Sequence, residues 1–463
     1  MKKLFLSLTI IFCFSITTVF SQVEVKGTDS TSATMTWFTS NAKTSPDTTM
    51  VVLDDGNVGI GTTTPSKKLE VNGIVYSTNG GVQFPDGSIQ TSAYTGPYKN
   101  VFTVSPSGGD FPTISMALSA CVTPSPTNTY LIRVMPGIYP EPGGVNCLPY
   151  VHLKGAGKYT TVISGGPVFC ADNSTLEGFK IEQGVQCMGV SPTIIHNIIM
   201  NINETGHGIE IGSGGEGNAK PWIIENEIMD CYGWGIYNHD SGSDPWILGN
   251  KIFRNSLGGV LADGTSPIIN NNYFINNNHY AIKLVGFEFE PPNPVVTDNV
   301  IDTTDYSSAG IGILMESDME ASIIGNNIHH CEWGIWINDS AQPSIISNNI
   351  SYNYEAGIVC NSDGYSKPVV IKSNHIHSNV NIGASSQMTG IYILSSSPII
   401  THNNIHNNPL PQGPGSDIDY SSCAGTDAPM ISLNVFDVII KNGPPSTATG
   451  LYNVTSIGGN ITP

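Results

Sequence analysis

The stretch Pro221–Asn238, PWIIENEIMDCYGWGIYN, constrains the chain more than any other. A proline opens it, an aliphatic pair follows, and an asparagine stands five residues after the proline. An isoleucine comes two residues later, and a Gly-Ile step closes the unit. The same grammar returns from about Pro192 to about Asn434. The asparagine falls at Asn197, Asn226, Asn250, Asn272, Asn299, Asn326, Asn348, Asn374, Asn403 and Asn434, at intervals of 22 to 31 residues. A unit of that size cannot bury its own apolar face, but a stack of such units can. The interval is close to one coil of a parallel β-helix, so the pattern predicts an all-β solenoid of about 12–14 coils.

Each slot has a physical reason. A tight bend tolerates left-handed backbone at asparagine, and the carboxamide can hydrogen-bond its copy one coil away. The aliphatic slots Ile198, Ile228, Ile252, Phe274, Ile301, Ile328, Ile350, Ile376 and Ile405 fill the interior. A second rung lies about five residues on, at Cys231, Asn255, Asn277, Thr304, Cys331, Asn353, Asn379 (displaced by one) and Asn408. Cys231 and Cys331 hold the same slot four units apart. At about 4.8 Å per stacked strand that is roughly 19 Å, too far for a disulfide. Both are expected to be small buried residues of the stack.

Composition agrees. The chain has 50 glycines, 30 prolines and only 12% charged residues, poor material for helices. Its formal charge is −19, with two arginines, Arg133 and Arg254. Nothing offsets phosphate or uronate charge, which excludes nucleic acid and disfavours strongly anionic polymers.

Residues 1–21 read as a secretory signal peptide. Lys2 and Lys3 precede an apolar run from Leu4 to about Phe20, with Val19-Phe20-Ser21 as the cleavage site. The chain is therefore expected to be secreted or on the cell surface, with no transmembrane segment. Residues 22–98 differ from the rest, rich in Ser and Thr and punctuated by glycine. Two pieces, NVGIGTTTPSKKLEVNG (Asn57–Gly73) and GGVQFPDGSIQTSA (Gly80–Ala93), resemble segments of bacterial surface and phage tail-fibre-like proteins. That resemblance implies short β-elements and a homotrimer; a flexible spacer is the alternative.

Residues 99–463 form the predicted solenoid. It opens with a strand at Val101–Val104 and a short helix whose apolar residues are Ile114, Ala117, Leu118 and Cys121, capped by Asp110 or Thr113. Such a helix suits the end of a solenoid, where apolar interior and strand edges need covering. SGGDFPTISMAL, IRVMPGIYPE and LKGAGKYTTVI together resemble the opening of pectin methylesterases and other pectin-lyase-like right-handed parallel β-helix proteins. The resemblance implies the fold. The later catalytic motifs of that family are missing, which counts against esterase activity. At the C-terminus NVTSIGGNITP reads like the start of one more coil.

Function has to sit where the repeat does not dictate the residue. In the Gly-Ile strand the isoleucine points in, so the next residue points out. That row reads Glu210, Tyr237, Leu261, Lys283, Gly312, Trp336, Val359 and Tyr392, with Trp234, Tyr280 and Trp333 just before the strand. Aromatic rings along a solvent-facing sheet suit sugar faces, so Tyr237, Trp336, Tyr392, Trp234, Trp333 and Tyr280 are the candidate carbohydrate-binding residues. An acidic turn follows the strand at Asp240, Asp263, Glu316 or Asp318, Asp339 and Asp363. From it come the catalytic candidates Asp240, Asp263 and Asp339, and the pair Asp240 and Asp244 for Ca2+. Gly206-His207-Gly208 resembles a segment of polygalacturonases, which makes His207 a further candidate; the remaining motifs of that family are absent. His329-His330 and His375/His377 resemble metal pairs that lack a third ligand, so solvent exposure is their default reading. The expected function is carbohydrate binding along the Gly-Ile face. A polysaccharide lyase or glycoside hydrolase using the acidic turns, or a structural spike or adhesin, are the alternatives. Trp234, Tyr237 and the His239-Asp240 turn are the residues of the opening stretch least explained by architecture.

Overall fold

The computed structural model describes residues 98–408 apart from 204–205, 215–217, 289, 303–309, 363–367, 380–389 and 395, together with 23–28, 32–39, 47–53, 55–72, 82–83, 89–90, 417–419, 430–432 and 434–436. The expected leader, residues 1–21, lies outside them. The chain divides into two compact units, Met1–Thr95 and Gly96–Pro463. In the first unit, strands Val23–Thr28, Ser32–Thr39, Asp47–Val52, Val58–Ile60 and Leu69–Val71 form one sheet in chain order. Their pairings are antiparallel until the last, which is parallel. Val82–Gln83 and Ile89–Gln90 make a separate antiparallel pair.

The second unit winds through three parallel sheets of 14, 13 and 12 strands among the described residues. We call them the first, second and third sheets in the order one coil meets them. The opening stretch supplies one strand to each, Trp222–Ile224, Glu227–Met229 and Trp234–Asn238. Every third strand pairs in register with its predecessor, so like residues stack. Ile223, Ile228 and Ile236 point inward and are fully buried, as are their counterparts along the axis. Burying each such side chain is worth about 1.5–3 kcal/mol, and the isoleucine columns thereby make one continuous core.

The asparagine rung is a hydrogen-bonded ladder. The Asn197 amide donates to Asn226 Oδ1 at 2.9 Å and its Nδ2 reaches the same oxygen at 3.1 Å. The pattern repeats down to Asn403 and Asn434. The second rung does likewise, and Asn379 pairs in line with Asn353 and Asn408 despite its displaced spacing. Cys231 and Cys331 fill slots of this rung as buried thiols, their amides donating to Asn255 and Asn353. Thr304 lies outside the described residues. One detail differs from the sequence reading: the left-handed residue is not the asparagine but the one before it, among them His196, Glu225, Asn271, Asp298, Ser347 and Ser373, with φ between 51° and 57°. That residue turns the chain, and the turn aims the following carboxamide into the stack.

A helix, Ile114–Ser119, caps the N-terminal end, with Thr113 as its N-cap accepting from the Met116 amide. The buried Glu141 carboxylate accepts from the amides of Ile114 and Ser115, filling two of the donors a helix start leaves bare. Asp110, the other expected cap, instead accepts from the Thr103 amide at 2.7 Å. Among the described residues no helix is long and apolar enough to cross a membrane.

Candidate functional site

Strand pairing fixes the outward column of the third sheet: Gln186, Glu210, Tyr237, Leu261, Lys283, Leu314, Trp336, Val359, Tyr392 and Asp419. Gly312, expected in this row, is displaced by Leu314. The segment GIGIL carries two Gly-Ile steps, and the second aligns with its neighbours. A Cβ on Gly312 would stand 2.4 Å from the Gly334 carbonyl oxygen, and one on Gly334 would stand 2.5 Å from that of Gly357. The Gly-Ile step therefore marks where adjacent coils approach too closely for anything larger than the alanine that holds this slot at Ala281, and Gly312 satisfies that need.

The column has a polar half and an apolar half. In the polar half, His207, Tyr237 and His239 line up, with ring centroids 4.7 Å and 4.8 Å apart. The Trp234 amide donates to His207 Nδ1 at 3.1 Å, so this nitrogen carries the lone pair. Burial lowers the basicity of His207, against the pull of nearby Glu210. His239 Nδ1 lies 3.2 Å from Asp240 Oδ1, while its buried Nε2 has no hydrogen-bond partner and stands 3.7 Å from Glu210. Asp240 also accepts from the amide and hydroxyl of Ser213, both at 3.0 Å, and the amide bond leads in holding its carboxyl below the usual range. Burial, then the charges of Asp263, Glu210 and Asp240, raise the Tyr237 phenol. Lys283 closes this half, paired with Glu316 at 2.8 Å.

The apolar half is more covered than the sequence suggests. Leu314, Val359 and Tyr392 are buried, so Tyr392 is no exposed sugar platform. Trp333 and Trp336 pack edge to face at 4.7 Å, and both indole Nε1 atoms are buried with no hydrogen-bond partner. Trp234 is likewise buried: it lies over Gly258 of the next coil, where a Cβ would come within 2.2 Å of the ring, and stacks on half-buried Tyr280 at 5.9 Å.

The acidic turn does not form a column of carboxylates. Asp263 and Glu316 share a register, but Val285 stands between them. Asp240 and Asp339 fall one position later, both in left-handed conformation. Stacking them directly would set like charges about 5 Å apart. Asp240 and Asp263 both act on Tyr237, whereas Asp339 ends the Trp336 strand and belongs to a distant coil. Asp363 lies outside the described residues. The calcium pair is also divided: Asp240 faces Ser213 of the preceding coil, while Asp244 accepts from the Ser266 amide and pairs with Lys220 at 3.2 Å.

Sequence reasoning missed one aromatic pair. Trp222 and Trp246 begin adjacent strands of the first sheet and stack at 4.8 Å with an interplanar angle of 6°, both exposed. The signal was available: each follows the unit's proline, as PWII and PWIL.

A family described as "Right handed beta helix region" matches residues 150–311 and 296–436. No curated protein matches the chain. Among solved structures, it is similar to the catalytic unit of thermostable GH87 alpha-1,3-glucanase from Streptomyces thermodiastaticus strain HF3-3, with TM-score 0.51 and 15% identity over 80% of this chain and 71% of that one. For the Azotobacter vinelandii mannuronan C-5 epimerase AlgE6 A-module the TM-score is 0.44 at 15% identity, covering 75% of this chain and 95% of the other. For pectate lyase Pel9A it is 0.35 at 15% identity, covering 69% and 82%. At such identities the likeness is one of fold. The family match runs along the stacked coils for more than half of the chain, which belongs to the right-handed β-helix family.

Proposed function

We propose that this chain binds a polysaccharide along the outward face of its third sheet, with contact centred on His207, Tyr237 and His239. The observation that carries the reading is the His239 Nε2 atom, buried beside Tyr237 without a hydrogen-bond partner. A buried polar atom in that state costs about 1–3 kcal/mol, which a turn of the ring that opens Nε2 to a sugar hydroxyl would recover. Half-buried Tyr280, held by its stack on Trp234, flanks the position with apolar ring surface that sugar C–H faces can use. The acidity of the chain favours a neutral polymer over a strongly anionic one.

A second reading is favoured by the Asp240–His239 contact. A carboxylate on Nδ1 keeps the ring proton there and leaves the lone pair on Nε2, the tautomer of an oriented general base. Tyr237 stands alongside as a proton donor. In this reading the bound polymer is cleaved, and Asp240 positions the base instead of attacking.

Affinity electrophoresis against neutral and acidic polysaccharides separates these possibilities, with assays for new reducing ends and unsaturated products. Binding by the wild type that is lost in both Tyr237→Ala and His239→Ala, and retained in Trp222→Ala, supports the third-sheet site. Loss in Trp222→Ala alone moves the site to the first sheet. Products that disappear in His239→Asn establish the enzyme, and failure to bind any polysaccharide sinks both readings.

A further inference from the structure

The second sheet carries a cluster outside the face described above. Asp302 ends one strand, Val300–Asp302, and pairs in register with His329 at the end of the next, Asn327–His329. On a regular strand the residue after His329 would turn to the other side. His330 is instead left-handed, with φ 55°, and this corner brings its ring to the same outer side as His329. Asp302 supplies the third donor atom that the His329-His330 pair lacked in the sequence.

We propose that Asp302, His329 and His330 form a site for a divalent transition-metal ion of the zinc type. The two Nδ1 atoms lie 2.9 Å apart, and Asp302 Oδ1 is 3.2 Å from that of His330 and 3.6 Å from that of His329. Donors about 2.0–2.1 Å from a tetrahedral Zn2+ are spaced by roughly 3.3 Å. The three atoms therefore outline one face of such a tetrahedron, and an ion about 2 Å from each sits just off their plane with a coordination position left open. Two imidazoles and one carboxylate suit Zn2+, Ni2+ or Cu2+; Ca2+ takes six to eight oxygens. The side chains of Asp302 and His329 are 17% and 19% exposed, and that of His330 38%, sheltered yet open to an arriving ion. Without metal, the 2.9 Å contact is a hydrogen bond from whichever Nδ1 holds the proton. Metal binding moves that proton to Nε2 of the same ring, because both Nδ1 atoms must then present lone pairs. The Tyr352 ring of the next coil stacks on His330 with centroids 6.0 Å apart and braces one ligand.

The test uses the full chain, stripped with chelator, then titrated with Zn2+ against a competing dye and counted by elemental analysis. The wild type should bind Zn2+ with Ca2+ in excess, and the stoichiometry should fall by one in Asp302→Asn, His329→Ala and His330→Ala. Any residual affinity there should be at least about tenfold weaker, the loss that even an outer-shell partner causes. His402→Ala and the double variant His375→Ala/His406→Ala should leave this ion in place. Co2+ serves as a probe of the unmutated protein, where intense four-coordinate visible bands are expected. A wild type that loads no Zn2+, variants that keep the full count, or Co2+ showing only the weak bands of the hydrated ion would each overturn the proposal.

Discussion

A single carboxamide does three tasks in this chain. Asn326 accepts from the Asn299 amide and from its Nδ2, both at 3.0 Å, and donates to the Val296 carbonyl and to Asn348 Oδ1. Asn326→Ala orphans the Asn299 amide in a site that water does not reach, at a cost of at least about 2 kcal/mol. Hydrogen exchange at Asn299 should accelerate by about 30-fold, the factor that such an energy implies; Lys372→Ala, at an exposed strand position of a later coil, should leave it unchanged. His207 gives a second prediction at this scale. Burial sets its basicity below that of an ordinary imidazole, with Glu210 acting against the shift. The folded chain therefore binds the proton less readily than the unfolded one. Its contribution to stability is level above the ordinary value of about 6.5 and is lost as pH falls from there through the folded value. Polysaccharide affinity should decline as the pH falls through the folded value, because a protonated Nδ1 can no longer accept from the Trp234 amide, and His207→Gln should flatten the profile. The ladder was legible in the sequence because asparagine recurs at a fixed place. The left-handed residue before it was not, because His, Glu, Asn, Asp and Ser all occupy that position.

At the scale of strands, the outward column was legible except where the grammar stutters. Two Gly-Ile steps in GIGIL offer two registers, and only the approach of neighbouring coils decides between them. Burial on the outer face was also hidden, since it depends on what packs across coils. Gly258→Val tests one such contact. Its side chain would occupy the space of the Trp234 ring, so Trp234 should swing out, tryptophan emission should shift to the red, and affinity for the bound polysaccharide should drop. Glu332 tests another. Burial first, and the Glu355 charge second, raise its carboxyl above the usual value, and its Oε2 is buried without a partner. The folded state then holds the proton over a range where the unfolded state has lost it. Stability falls as pH rises through that range and stays lower above it. Glu332→Gln should therefore raise the melting temperature at pH 7 and leave it unchanged once the pH is well below the ordinary carboxylate value.

For the molecule as a whole, the repeat made the architecture readable, because stacking imposes the same residue types coil after coil. The candidate site was readable only as a deviation from that repetition. Trp234, Tyr237, His239 and Asp240 stood out that way, whereas Asp302 did not, because its partners arrive a full coil later. The same logic bears on the thiols. Burial pushes the Cys231 thiol up to about 12, so it is protonated and sealed in the stack. A disulfide-exchange reagent should label Cys231 only after unfolding, as peptide mapping would show, and labelling of the native chain would contradict its placement. The ladder finally explains how one scaffold carries such unequal loops. Each asparagine recognises the coil beneath it and takes no account of how many residues the chain spends in between, whether 22, as from Asn250 to Asn272, or 31, as from Asn403 to Asn434. The stack thus works like a bookbinding: pages of different width are sewn along one spine, and inserts can lengthen at the open edge without disturbing the stitches.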